Sequence, residues 1–143
     1  MATKEIQRTL ASDGSVALSD ERCRFTFRSR PGALDIAIDG IDQGQFGEAA
    51  LDEIAVALIK DRPLELFIDA SRASMPAVEV SKRWTRFFAL NREGLKRVSV
   101  LVSSRSVELT VAIAQHLSQT GKLIQIYSDE ELFEARRTQS LKR

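Results

Sequence analysis

With one cysteine and one histidine in 143 residues, the chain is short of the side chains that build disulfide frameworks, zinc sites and most nucleophilic triads. Cys23 closes no internal disulfide, and with His116 as the lone imidazole it cannot complete the usual zinc set. No apolar run approaches the ~18 residues of a membrane span, and no basic-plus-apolar leader opens the sequence, so a reducing cytoplasm is the expected compartment. Glycine and proline are sparse, at seven and three residues, and no low-complexity tract interrupts the chain. Charge of one sign is also missing: the formal net charge of +1 gives no basis for a dedicated nucleic-acid binder. "DGIDQGQFG" has neither the lysine nor the spacing of a P-loop, G-x-S-x-G does not occur, and the carboxylates form no D-x-D loop. No cofactor and no metal are expected.

What is there is periodicity. The length is that of one domain, enough to bury roughly two-thirds of the surface its unfolded chain exposes. Residues 1–21 lack a sustained period and read as an N-terminal arm or a marginal first strand. From residue 22 to 143 the pattern is that of a folded domain. "CRFTFRS" and "ALDIAID" each alternate with period two around "RPGA", which predicts an antiparallel hairpin with one buried side and makes Cys23 a small buried hydrophobe. The period then changes to 3.6. Phe46, Ala50, Ile54 and Leu58, with Leu51, Ala55 and Ile59 beside them, predict a helix entered through Asp42 and Gln45 as a capping pair. "LELFID", "RVSVLVS" and "KLIQIYS" are short apolar strands separated by helices over residues 76–93 and "SVELTVAIAQHLSQT", with Gly94 and Gly121 as stops. A last helix opens at "SDEE", with Ser128 and Glu131 as a reciprocal cap. The fold class is therefore α/β: a mixed, mostly parallel sheet flanked by helices in the order β-β-α-β-α-β-α-β-α.

This order, the strand "LFIDAS" ending in Asp69, the step "RVSVLVSSR" and the terminal "LIQIYSDEELFEA" resemble the SpoIIAA-like branch of STAS domains over residues 22–138. The resemblance implies a non-enzymatic regulatory module acting through protein contacts. It also implies a distant likeness to lipid-binding Sec14 (CRAL-TRIO) domains. The alternative function is accordingly a carrier or sensor that holds a lipid or other small amphiphile in a crevice at the strand ends. Antagonists of this kind present a phosphorylatable serine in a D-S-S-G loop, and here that loop falls on Ala77, Val78, Glu79 and Val80. A serine switch is not expected.

Two groups of residues could carry a contact. Asp69, Ser71 and Ser74 stand at a strand's carboxyl end, where open α/β sheets bind ligands, and Ser103, Ser104 and Ser106 repeat the situation, with Arg72 and Arg105 as positive charge for an anion. In the competing account Asp69 accepts turn amides and Ser74 caps the next helix, with Pro76 in its first turn. The second group lies in "SKRWTRFFALNR". Trp84, Phe87 and Phe88 fall on one side and should cover the sheet, while Lys82, Arg83 and Arg86 form a solvated face that steers an acidic protein partner. Any aromatic left uncovered would need a protein partner or a second copy of the chain. With the aromatics spent on the sheet, no stable membrane association is expected. His116, beside Leu109, Ala112 and Ile113, reads as a histidine at the edge of the core.

Overall fold

The computed structural model describes residues 6–141. In chain order the strands are β1 (Gln7–Leu10), β2 (Val16–Ser19), β3 (Cys23–Arg30), β4 (Ala33–Gly40), β5 (Leu64–Ala73), β6 (Leu95–Val102) and β7 (Ile124–Tyr127). The helices are α1 (Ala49–Lys60), α2 (Val78–Asn91), α3 (Arg105–Leu117) and α4 (Glu130–Leu141). All the strands lie in one sheet in sequence order, antiparallel from β1 to β4 and parallel from β4 to β7.

The expected α/β order holds from β3 onward, and two strands precede it. Within the segment expected as an arm, β1 and β2 pair as a hairpin, and β2 continues onto β3. Asp13 organises the turn by accepting from both the amide and the hydroxyl of Ser15. Each strand has only four residues, and β1 is exposed along its length, so no alternation betrays it.

Because β4 to β7 advance one way across the sheet, right-handed crossovers bring α1, α2 and α3 to a single face. Phe27, Ile36, Ile68, Val100 and Ile126 align there as cross-strand partners, on the side where Ile54, Leu58 and Phe88 close the main core. The opposite face is covered by α4, whose Phe133 lies 6.1 Å from the Phe67 ring and 6.0 Å from Tyr127. Arg30 chelates Asp35 at 2.7 and 2.9 Å, and Arg137 of α4 reaches the same carboxylate at 3.5 Å.

Several helix ends differ from expectation. Asp42 and Gln45 do not cap α1, which starts at Ala49. Gly44 and Gly47 take left-handed φ of 101° and 57° and break the helix between. Asp42 instead accepts from the Gly44 amide, and Gln45 from the Gln43 amide. Ile59, expected beside the core row, is exposed. Beyond α3 the left-handed residue is Gln119, not Gly121. At α4 the cap is Asp129, accepting from Glu131 and Leu132, where Ser128 was expected.

Candidate functional site

β5 runs four residues past Asp69. Ala70 pairs with Val102, the last residue of β6, after which Arg72 and Ala73 pair with β4 alone. Gly40 ends β4 at this level with φ of 104°, and a Cβ there would stand 2.1 Å from the Arg22 carbonyl oxygen, so only glycine fits. Its carbonyl accepts from the Ser74 amide and ties the two strand ends together.

Alternation along β5 separates the residues expected to share a crevice. Ile68 and Ala70 face α2, so Asp69 and Ser71 face the other way. Asp69 accepts from the Ser71 amide and hydroxyl, which matches the account of Asp69 as a turn acceptor. Ser103 donates to the Ser71 carbonyl. Ser104 is the N-cap of α3, accepting from the Val107 amide at 3.2 Å. Ser74 caps nothing: the N-cap of α2 is Ala77, Pro76 lies outside the helix, and the exposed Ser74 hydroxyl has no hydrogen-bond partner among the described residues. Arg72 is exposed with its guanidinium 4.0 Å from Asp39, and Arg105 is exposed at the start of α3. Asp69, Ser71 and Ser103 are thus joined by hydrogen bonds at the strand ends and Ser104 caps α3, while Arg72, Ser74 and Arg105 are exposed and take no part in these bonds.

The aromatic side of α2 packs as expected. Phe88 is buried, Trp84 and Phe87 are half-buried, and the Phe88 ring lies 5.8 Å from Trp84 and 6.1 Å from Phe87. The three cations divide by helical spacing. Lys82 and Arg86, four apart, share one side. Arg83 turns toward α1, where it reaches the Gly47 carbonyl and stands 3.9 Å from Glu48.

Lys82 and Arg86 border a groove of about 550 Å³ between α2 and α3. Its apolar walls are Met75, Val78, Ile113 and Leu117, which are 59%, 68%, 51% and 65% exposed. No acidic side chain lines it, and neither cation has an ion pair among the described residues. Beneath α2 a second, partly open space of about 100 Å³ lies between the sheet and both helices, with Phe25, Ile68, Val80, Trp84, Val100 and Val111 among its walls. Asp42 stands in the same wall, and burial raises its carboxyl pKa against partial relief from the Gly44 amide and the charge of Arg83. Burial, with lesser contributions from Asp42 and Asp20, pushes the Cys23 thiol up to about 12.

The sequence did not nominate this groove. α3 carries two apolar stripes: Val107 and Ala114 face the core, while Leu109, Ile113 and Leu117 at i, i+4, i+8 stay exposed. The second stripe was the available signal, since one face is all a helix on a sheet must bury. His116 belongs with the exposed stripe and is itself exposed, not at the core edge. It sits near Arg92 and Lys122 in a shallow groove.

No family model and no curated protein matches the sequence. Among solved structures, an anti-sigma factor antagonist from Mycobacterium paratuberculosis is similar at TM-score 0.54 and 16% identity, covering 90% of this chain and 97% of that one. A protein of the DUF3478 family with a SpoIIAA-like fold, from Shewanella loihica PV-4, is similar at TM-score 0.53 and 13% identity, covering 86% and 94%. Sheet order, helix placement and these two likenesses agree that the chain has the SpoIIAA-like fold of STAS domains.

Proposed function

We propose that the chain is a non-enzymatic regulatory module that works by protein contact through the α2–α3 face. The observation that carries this is the exposed aliphatic strip of Met75, Val78, Ile113 and Leu117 framed by Lys82 and Arg86. Clustered apolar surface of this kind, rimmed by charge, is what interaction sites expose. The unpaired cations fit an acidic partner. The likeness to an anti-sigma factor antagonist supports the class. Against catalysis stands the separation of His116 from the Ser103 and Ser104 end of α3, about 18 Å along the helix by its rise per residue.

The module works without the serine switch of that class. Ala77 is the N-cap of α2 and Val78 and Glu79 its first turn, so no hydroxyl stands at those positions.

Native mass spectrometry of the chain isolated from its own cells tests both parts. We expect a retained acidic protein, or a second copy, that is lost when Val78→Asp and Ile113→Asp are combined, and a single unphosphorylated mass. Both side chains are more than half exposed, so the fold should persist in the double variant. A partner that survives the double substitution would refute the face, and a stoichiometric phosphate on Ser71 or Ser74 would refute the absence of a switch.

A further inference from the structure

We propose that the outer edge of β1 is a self-association surface: two copies of the chain pair β1 with β1, antiparallel about a two-fold axis at Thr9, and join their sheets into one.

The two edges of the sheet are finished differently. At β7 the Leu123 carbonyl accepts from the Val98 amide of β6, so the next residue, Ile124, turns its backbone groups outward. The chain itself meets both of them. The Ile124 amide donates to the Thr120 carbonyl at 3.0 Å, and the Ile124 carbonyl accepts from the Gln115 side chain at 2.7 Å. At β1 the Ala11 amide donates to the Ser15 carbonyl at 2.9 Å, in register with Thr9 opposite Ala17 and Gln7 opposite Ser19, so these residues direct their backbone groups at β2. Arg8 and Leu10 each direct an N–H and a C=O the other way, where no strand lies among the described residues. The usual guards of an edge are also missing, since β1 has no lysine, proline or bulge. Its one charge, Arg8, is neutralised by Glu53 of α1 at 2.7 Å, and Leu10 is 70% exposed.

The same alternation selects the register. An axis at Arg8 would set two guanidinium groups opposite each other, and an axis at Leu10 would set Arg8 against Ser12, which lies in the turn. An axis at Thr9 sets Arg8 of each copy against Leu10 of the other. All four outward groups of each strand are then bonded, and the aliphatic part of Arg8 covers Leu10. On the opposite face Thr9 meets Thr9, a favourable cross-strand pair. The contact is isologous, as closed dimers require. With only four residues in β1 it is a small interface, and a Kd on the order of 10–100 μM follows. β1 shares no residue with the α2–α3 face proposed above, so either contact can fail alone.

Sedimentation equilibrium of the purified chain across that range of concentration is expected to show a reversible monomer–dimer equilibrium. Leu10→Lys sets a cation against Arg8 twice in the dimer and should weaken it about tenfold, whereas Leu10→Glu should leave it as tight or tighter. Leu10→Pro removes an outward N–H without touching the bonds to β2 and should also weaken the dimer. Each variant changes an exposed side chain and leaves the Arg8–Glu53 pair in place, so the monomer should stay folded. The register has its own readout. A non-hydrogen-bonded antiparallel pair holds its Cα atoms about 4.5 Å apart, within reach of a disulfide, so Thr9→Cys should crosslink on oxidation. Gln7→Cys, which stands opposite Ala11, should not, and the buried Cys23 thiol, pushed up to about 12, does not compete. The proposal is overturned by a chain that stays monomeric, by Leu10→Lys and Leu10→Glu acting alike, by a dimer indifferent to Leu10→Pro, or by equal crosslinking of Thr9→Cys and Gln7→Cys. A dimer that the combined Val78→Asp and Ile113→Asp abolishes and the Leu10 variants leave intact would overturn it as well.

Discussion

Ser104→Ala and Ser74→Ala, compared side by side, test whether the strand-end serines are helix caps. Both occupy a strand-to-helix junction and both look like caps in the sequence, but the structure gives them different work. Ser104 precedes α3 in an extended conformation and accepts from the Val107 amide at 3.2 Å. Removing that acceptor leaves one donor of the first turn without its partner, at a cost of ~0.5–2 kcal/mol for an N-cap. The bond is at the long end of the N–H···O range, and the site is part-buried, so the lower half of that range applies, about 1 kcal/mol. Ser74 stands three residues before the Ala77 cap, its hydroxyl is exposed, and its contribution runs through a backbone amide that alanine retains, the bond to the Gly40 carbonyl at 2.9 Å. Its substitution should therefore fall within ~0.5 kcal/mol of wild type, as for an ordinary surface change. Guanidinium unfolding resolves the difference as a shift in midpoint at unchanged slope. For a chain of 143 residues, 1 kcal/mol corresponds to about 3–5 °C in Tm. Equal losses for the two variants, or a larger loss at Ser74, would refute the assignment of the caps and restore Ser74 as the start of α2.

Asp42 offers a test by pH. Burial raises its folded-state pKa, so proton binding favours the fold; that contribution is complete below the unfolded-state pKa of ~3.9 and is lost as pH rises through the folded value. Asp42→Asn keeps an acceptor for the Gly44 amide and removes the charge, so its stability relative to wild type should increase as pH rises through the raised folded-state pKa and then level off; a pH-independent difference in thermal unfolding would refute this. Phe133 is the buried anchor of α4, packed on Phe67 and Tyr127, and Phe133→Ala should cost about 3–5 kcal/mol. Hydrogen exchange should show α4 amides losing protection before those of β5 and β6, and a cost under ~1 kcal/mol would mean that α4 is not held by this ring.

The sequence by itself determined the elements whose apolar residues repeat with one clear period. The alternation of Cys23, Phe25 and Phe27 made β3, and the apolar runs of β5 and β6 marked strands covered on both sides. Trp84, Phe87 and Phe88 made one side of α2, and the alternation of strands with helices set the parallel half of the sheet. These are local properties, because burial on one face imposes its period on the chain. Only the tertiary structure decided the rest. β1 and β2 are strands because β3 has an open edge to pair with, not because four residues declare a period. Asp69 and Ser74 parted because β5 runs on to Ala73 after β6 has ended, through a register shift against β4, and Ser74 then comes to the α2 side with Ile68 and Ala70 while Asp69 lies on the other. Asp42 lost its helix to two left-handed glycines. The α2–α3 groove and the cavity under it exist because two helices, each with apolar surface to spare, meet over the sheet without filling the space between them, and no single segment encodes a gap.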